Sequence, residues 1–119
     1  MSVVNLAEKF SRFDDHWHPR IVGALNGQLV KVAKLLGPFD WHFHAAEDEL
    51  FLVMKGTLRM ELRDRTETID AGEFFIVPRG VEHRPVADAE VHVVLFEPAE
   101  THHTGNVVTE KTRTTLEWL

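Results

Sequence analysis

The chain is predicted to be an all-β protein, a sandwich or barrel preceded by one short helix. Three features of its 119 residues carry that prediction: the apolar runs are strand-sized, turn residues interrupt them every several positions, and no helical segments lie between them. A chain of this length builds one domain around one core, here residues 1–119.

The helix comes first. Asn5-Leu6-Ala7-Glu8 has the form of a capping box, and Leu6 and Phe10 share a helical face, so a helix is expected to run to Phe13. Asn26-Gly27 is a two-residue hairpin signal between the strands Ile21–Leu25 and Gln28–Leu36. Gly37-Pro38 is expected to end the second of these. Glu49–Met54 is apolar on both faces, as in a strand buried between two layers. Gly56 turns the chain. Leu58, Met60 and Leu62 then alternate with Thr57, Arg59 and Glu61, giving one buried and one wet face. Arg63-Asp64-Arg65 is a turn, Thr66–Ile69 a short strand and Asp70-Ala71-Gly72 another turn. Phe74–Val77 and Val91–Phe96 read as further buried strands. After Pro98 the chain is polar, and only Leu116–Leu119 has the character to dock again. Strands with two apolar faces need cover on the outer one as well. The N-terminal segment or a second copy of the chain can supply it, so a homodimer is expected.

Composition narrows the function classes. Apolar residues make up 44% of the chain and charged residues 27%, as in an ordinary globular domain. A net charge of −6 and scattered basic residues argue against a nucleic-acid or anionic-membrane surface. The chain has no cysteine, so disulfides, thiolate zinc sites and cysteine nucleophiles are excluded, and any metal must be held by nitrogen and oxygen. The first ten residues lack the basic start and long apolar run of a signal peptide, and no apolar run approaches a membrane span, so the cytoplasm is the expected compartment.

The residues with the chemistry are His42, His44, Glu49 and His83. Alternation puts His42 and His44 on one face, with Trp41 and Phe43 on the other, so both imidazoles can reach one ion. Glu49 begins the next strand; Glu47 and Asp48 compete with it but sit in the turn Ala45–Asp48, so Glu49 ranks above them. His83 comes from a later strand and is set by the tight Pro78-Arg79-Gly80 loop, where glycine offers positive φ or close approach. Three nitrogens and one oxygen form a ligand set for a divalent ion and leave positions open on a six-coordinate one.

These two segments resemble the two motifs of the cupin superfamily. The first family motif reads Gly, five residues, His-x-His, three or four residues, Glu, six residues, Gly; this chain has Gly37, four residues, His42-Phe43-His44, four residues, Glu49, six residues, Gly56. The second reads Gly, five residues, Pro-x-Gly, two residues, His, three residues, Asn; this chain matches from Gly72 through Pro78, Gly80 and His83 but carries Ala87 where the Asn would stand. The fifteen residues between Gly56 and Gly72 are similar to the spacing of small single-domain bacterial cupins. The resemblance implies a double-stranded β-helix, a small jelly-roll barrel, over the single domain, with motifs at 37–56 and 72–87. It also implies His42, His44, Glu49 and His83 as ligands of one divalent metal ion: iron, manganese, zinc or nickel. Neither departure from the motifs touches a ligand.

Other polar residues near the motifs have simpler readings. Arg79 and Arg84 can pair a substrate carboxylate, though a surface salt bridge is the plainer role. His92, in an apolar strand, reads as a satisfied core or interface histidine that can also serve as a donor or base behind the metal. His16 and His18 flank Trp17 in what reads as a surface loop, and His102-His103 reads as a solvated tail. The expected function is a metal-dependent enzyme acting on a small molecule by dioxygenase, isomerase or lyase chemistry. The alternative is a non-catalytic sensor or storage protein that holds a metal or metabolite.

Overall fold

The computed structural model describes residues 1–112 and 115–119. Among them are one short helix, α1 (Leu6–Phe10), and seven strands: β1 (Arg20–Leu25), β2 (Gln28–Pro38), β3 (Glu49–Lys55), β4 (Thr57–Leu62), β5 (Thr66–Asp70), β6 (Phe74–Val77) and β7 (His83–Pro98). All strand pairings are antiparallel, so the predicted all-β class holds. The sheet runs β1-β2-β7-β3-β6, and β4 joins β7 to β5. The sixteen-residue β7 is the hub, because its first residues pair with β4 and the rest with β2 and β3.

Local chemistry explains most boundaries. Asn5 caps α1, its side-chain oxygen accepting from the Glu8 N–H at 3.0 Å. The reciprocal half of the capping box does not form, because Glu8 pairs with Arg12 instead. The helix stops at Phe10 rather than Phe13, and the Ser11 hydroxyl donates back to the Glu8 carbonyl at 2.6 Å. Asn26 and Gly27 both take positive φ, 51° and 76°, the pair of left-handed residues a tight hairpin requires.

Two strand expectations need correction. Gly37-Pro38 does not end β2. A bulge between Leu35 and Gly37 bends the strand, and pairing with β7 continues to Pro38↔Val86. Phe74–Val77 is not buried throughout: β6 lies at the sheet edge, and its alternation leaves Phe74 and Ile76 61% and 50% exposed while Val77 is buried.

Two apolar layers result. Ala33, Leu35, Phe51, Val53, Leu58, Met60, Val91, Val93 and Leu95 fill the interior. On the outside, Phe10 of α1 packs with Val22, Val32 and Val94, and Leu52 and Leu119 join them. The N-terminal helix therefore covers one outer face of its own sheet. The terminal segment docks as expected: Ile21 donates to the Glu117 carbonyl at 2.8 Å and Leu119 donates to the Ile21 carbonyl at 2.9 Å.

Candidate metal centre

The four predicted ligands meet at one end of the interior. His42 and His44 lie on the connection between β2 and β3, Glu49 opens β3 and His83 opens β7. The histidine segment is not a full strand. It touches β7 through a single bridge, in which His42 and His83 exchange backbone hydrogen bonds of 3.1 and 2.9 Å. That contact is enough to impose the alternation the sequence suggests. The Pro78–Gly80 turn has a direct role here: Gly80, at φ +78°, donates its N–H to the His44 carbonyl at 2.7 Å.

One ligand atom from each of the four side chains lies within 4.8 Å of all the others, and all four residues are buried. Tautomers follow from the partners. The His42 Nδ1 lies 2.9 Å from the Asp40 carbonyl and the His83 Nδ1 lies 2.9 Å from the Val81 carbonyl. A carbonyl only accepts, so each Nδ1 carries the proton and each Nε2 keeps its lone pair. Glu49 Oε1 lies 3.1 Å from His44 Nε2 and 3.8 Å from His83 Nε2. The 3.1 Å approach is not aligned as a hydrogen bond: His44 Nε2, Glu49 Oε1 and His83 Nε2 all lack such a partner among the described residues. Buried polar atoms left in this state are costly, and a cation shared between them would satisfy them together. The donor set thus fits a divalent ion.

Electrostatics prepare the same state. Burial, helped by the neighbouring His83, lowers His42 to about 4, so its imidazole is neutral at pH 7. Burial acts to raise the Glu49 carboxyl, but contacts with Glu97, His44 and His83 outweigh it and hold Glu49 well below the usual range. Glu97 moves the other way, pushed up by burial and by the Glu49 charge. The proton of this pair therefore resides on Glu97, leaving Glu49 as the anion.

Beside the ligands lies a small cavity of about 30 Å³, bounded by His42, Glu49, Trp17, Phe39, Phe51 and His103 among others. Trp17 stacks on Phe39 with ring centroids 4.6 Å apart and donates its indole N–H to the Leu36 carbonyl at 2.9 Å.

The remaining sequence candidates stand outside this group. Arg79 pairs with Asp48 at 3.3 Å, and Arg84 pairs with Glu61 at 2.7 Å, both on the outer surface. The Asp48 pairing also accounts for one of the competing turn carboxylates. His92 points outward between Val91 and Val93, stacks on Phe10 at 4.7 Å and meets Glu90 at 3.0 Å. His16 reaches the same Glu90 at 2.8 Å.

Sequence reasoning missed three features. His103 is buried and lines the cavity, contrary to the solvated tail expected, with its Nε2 donating to the Lys111 carbonyl at 2.6 Å. Gly105 and Asn106 clasp the histidine segment: Asn106 Oδ1 accepts from the Phe43 N–H at 2.8 Å, and the Asn106 N–H donates to the Phe43 carbonyl at 3.0 Å. A polar tail carries no pattern that reveals such a clasp. Lys31 and Glu97, both fully buried, did leave a signal: each is a charged residue in phase with inward apolar ones, Ala33 and Leu35 on β2, Val93 and Leu95 on β7.

Comparison with known proteins agrees with the geometry. Residues 29–97 match the family model for the cupin domain, Cupin_2. A cupin-2 domain containing protein from Shewanella frigidimarina NCIMB 400 superposes with a TM-score of 0.80 and 45% identity, over 81% of this chain and 94% of that one. Protein NMB1881 from Neisseria meningitidis gives a TM-score of 0.76 and 29% identity, over 82% of this chain and 100% of that one. The uncharacterized protein YdbB of Bacillus subtilis (strain 168) is 34% identical over 64 residues, 53% of this chain and 57% of that protein, so the match spans little more than half of that relative. The matched stretch spans β2 to β7 but for one residue at each end and contains all four candidate ligand residues, and on that ground the chain belongs to the cupin family.

Proposed function

We propose that this protein is a metal-dependent enzyme acting on a small molecule, its chemistry centred on His42, His44, Glu49 and His83. One observation carries the reading: four donor atoms, buried and within 4.8 Å of one another, several with no other partner. A divalent ion held there would supply Lewis acidity or, if it is iron or manganese, redox chemistry. The chain's own residues do the rest. His42 and His83 present Nε2 because backbone carbonyls hold their Nδ1 protons. Glu49 supplies the negative charge. Trp17, Phe39, Phe51 and Leu95 keep bulk water from the cavity and favour an apolar or weakly polar guest. Dioxygenase, isomerase and lyase reactions all suit such a site.

The cavity supports a second reading. At about 30 Å³ it holds roughly one water, so a larger substrate must displace its wall. A protein that retains metal or a metabolite without turnover has no need of more room. The two readings part in one experiment: elemental analysis of protein purified without chelators, beside His42→Ala and His83→Ala, followed by assay of the loaded protein on small oxygenated compounds with and without dioxygen. About one equivalent of a single metal, lost in both variants, supports the site. Product formation then selects the enzyme, and tight binding without product selects the sensor or store. No metal after reconstitution with iron, manganese, nickel and zinc would remove the enzyme and leave the non-catalytic reading.

The jelly-roll arrangement, a cytoplasmic setting and a homodimer belong to the same proposal. Leu50, Leu52 and Met54 of β3 and Phe74 and Ile76 of β6 share the outer face at a sheet edge, with Phe74 and Ile76 more than half or half exposed. A second copy covering this face would bury an apolar edge that otherwise invites nonspecific pairing. Sedimentation of a monomer at micromolar concentration would dismiss the dimer.

A further inference from the structure

The interior of β2 and β7 is apolar until it reaches the metal end. Inward positions run Leu35, Ala33, then Lys31 on β2, and Val91, Val93, Leu95, then Glu97 on β7. Register makes Lys31, Glu97 and Glu49 neighbours across three adjacent strands. Leu29 pairs with Glu97 and Lys31 with Leu95, while Leu50 pairs with Phe96, which sets Glu49 beside Glu97. Lys31 Nζ donates to Glu97 Oε1 at 2.8 Å, and both side chains are fully buried. The other Glu97 oxygen has no aligned partner among the described residues, and the strand register sets the buried Glu97 carboxyl next to the buried Glu49.

A buried lysine and carboxyl in such a place are poor economy for folding alone, since apolar side chains of similar volume commonly serve as well or better. Its position explains it. Ligating carboxylates are held by hydrogen bonds behind them, and losing such a partner weakens metal binding. The geometry points to Lys31 and Glu97 as positioning residues for the metal: Lys31 fixes Glu97, and Glu97 fixes Glu49 with Oε1 turned toward His44 and His83. This assignment rests on the metal-site reading above and adds two residues to it.

The test is titration of the chelator-stripped full chain with Co2+, read by its visible spectrum and by the dissociation constant, beside metal-free melting temperature. Glu97→Gln keeps an acceptor for Lys31 and a donor for Glu49. It is expected to bind within a few-fold of wild type with an unchanged spectrum. The double variant Lys31→Met/Glu97→Leu fills the space with apolar groups. It should melt within about 5 °C of wild type, yet bind Co2+ roughly 10- to 100-fold more weakly with a shifted spectrum. Glu97→Asp retains the carboxyl but withdraws it by one methylene. It should weaken binding several-fold, and it keeps the test decisive if the double variant fails to fold. Wild-type affinity and spectrum in the double variant or in Glu97→Asp would overturn the inference and leave the metal site standing. Absence of Co2+ binding by wild type, or full binding by His42→Ala, would instead overturn the metal-site reading itself.

Discussion

Two clusters in this molecule have nearly the same composition and opposite character. At one end His42, His44 and His83 surround Glu49; on the outer side His16 and His92 flank Glu90. The outer cluster is complete: Glu90 accepts from both histidines, at 2.8 and 3.0 Å, and water reaches it. The inner cluster is buried, the Nδ1 protons of His42 and His83 are spent on backbone carbonyls, and His44 Nε2, Glu49 Oε1 and His83 Nε2 lack aligned partners among the described residues. Residue type therefore does not distinguish a salt bridge from a ligand set. Burial and unsatisfied donor geometry do.

The largest expected effect tests that distinction. His83→Ala should lower metal affinity by more than roughly 100-fold, since even residues behind a ligand are worth 10- to 100-fold. His92→Ala and His16→Ala should leave stoichiometry and affinity unchanged. Calorimetric titration with one divalent metal settles the contrast, and loss of binding in His92→Ala would erase it.

His42 and Glu90 should also respond to acid in separate windows. His42 is held near 4 against an ordinary value of 6.5, so the unfolded chain takes up this proton first. The contribution of neutral His42 is therefore present above pH 6.5 and lost as pH falls toward 4, about 3 kcal/mol in all. Glu90 is lowered to about 2 by His16 and then His92, so its contribution is lost only as pH falls from about 4.5 toward 2. Thermal unfolding of metal-free protein against pH should show the first loss in wild type and a shallower one in His42→Asn. Equal slopes between pH 6.5 and 4 would refute the assignment.

The legible parts of this chain were those with local rules. Asn26-Gly27, Gly56 and Gly80 announce turns by their need for positive φ, and Leu58, Met60 and Leu62 announce a half-buried strand by alternation. The candidate ligands were legible because they follow the same rules: two histidines two apart, a carboxylate at a strand start, a histidine after a glycine turn. What could not be read depends on pairing across the sheet. The edge position of β6, which exposes Phe74 and Ile76, is not a property of those residues. Nor does the polar tail reveal that Gly105 lies against His42 and Phe43, a contact between residues far apart in sequence.

That contact gives the third effect. A Cβ at Gly105 would lie 2.3 Å from the Phe43 carbonyl oxygen and 2.8 Å from His42 Cδ2, at a backbone φ of +61°. Gly105→Ala is expected to cost about 2 kcal/mol and to weaken metal binding by displacing His42. Gly27→Ala shares the positive φ, +76°, but meets nothing within 4 Å. It should cost about 1 kcal/mol and leave metal binding alone. Chemical denaturation and metal titration of the two variants separate backbone strain, common to both, from pressure on the ligand segment. Equal metal affinity in the two would show that the tail does not support the site.

The smallest effect belongs to the outer cluster. Glu90→Gln removes the anion between His16 and His92 but leaves an oxygen to accept and the space filled. Because Glu90 is exposed to water, its ion pairs are screened and their loss should change stability by less than about 1 kcal/mol. The substitution should also remove the Glu90 share of the acid-side loss between pH 4.5 and 2 while preserving the loss between 6.5 and 4. Glu49→Gln makes the same chemical change in the buried cluster, where three imidazoles then face one another without an anion. It should sharply weaken metal binding, a difference of environment alone, since the substitution is identical.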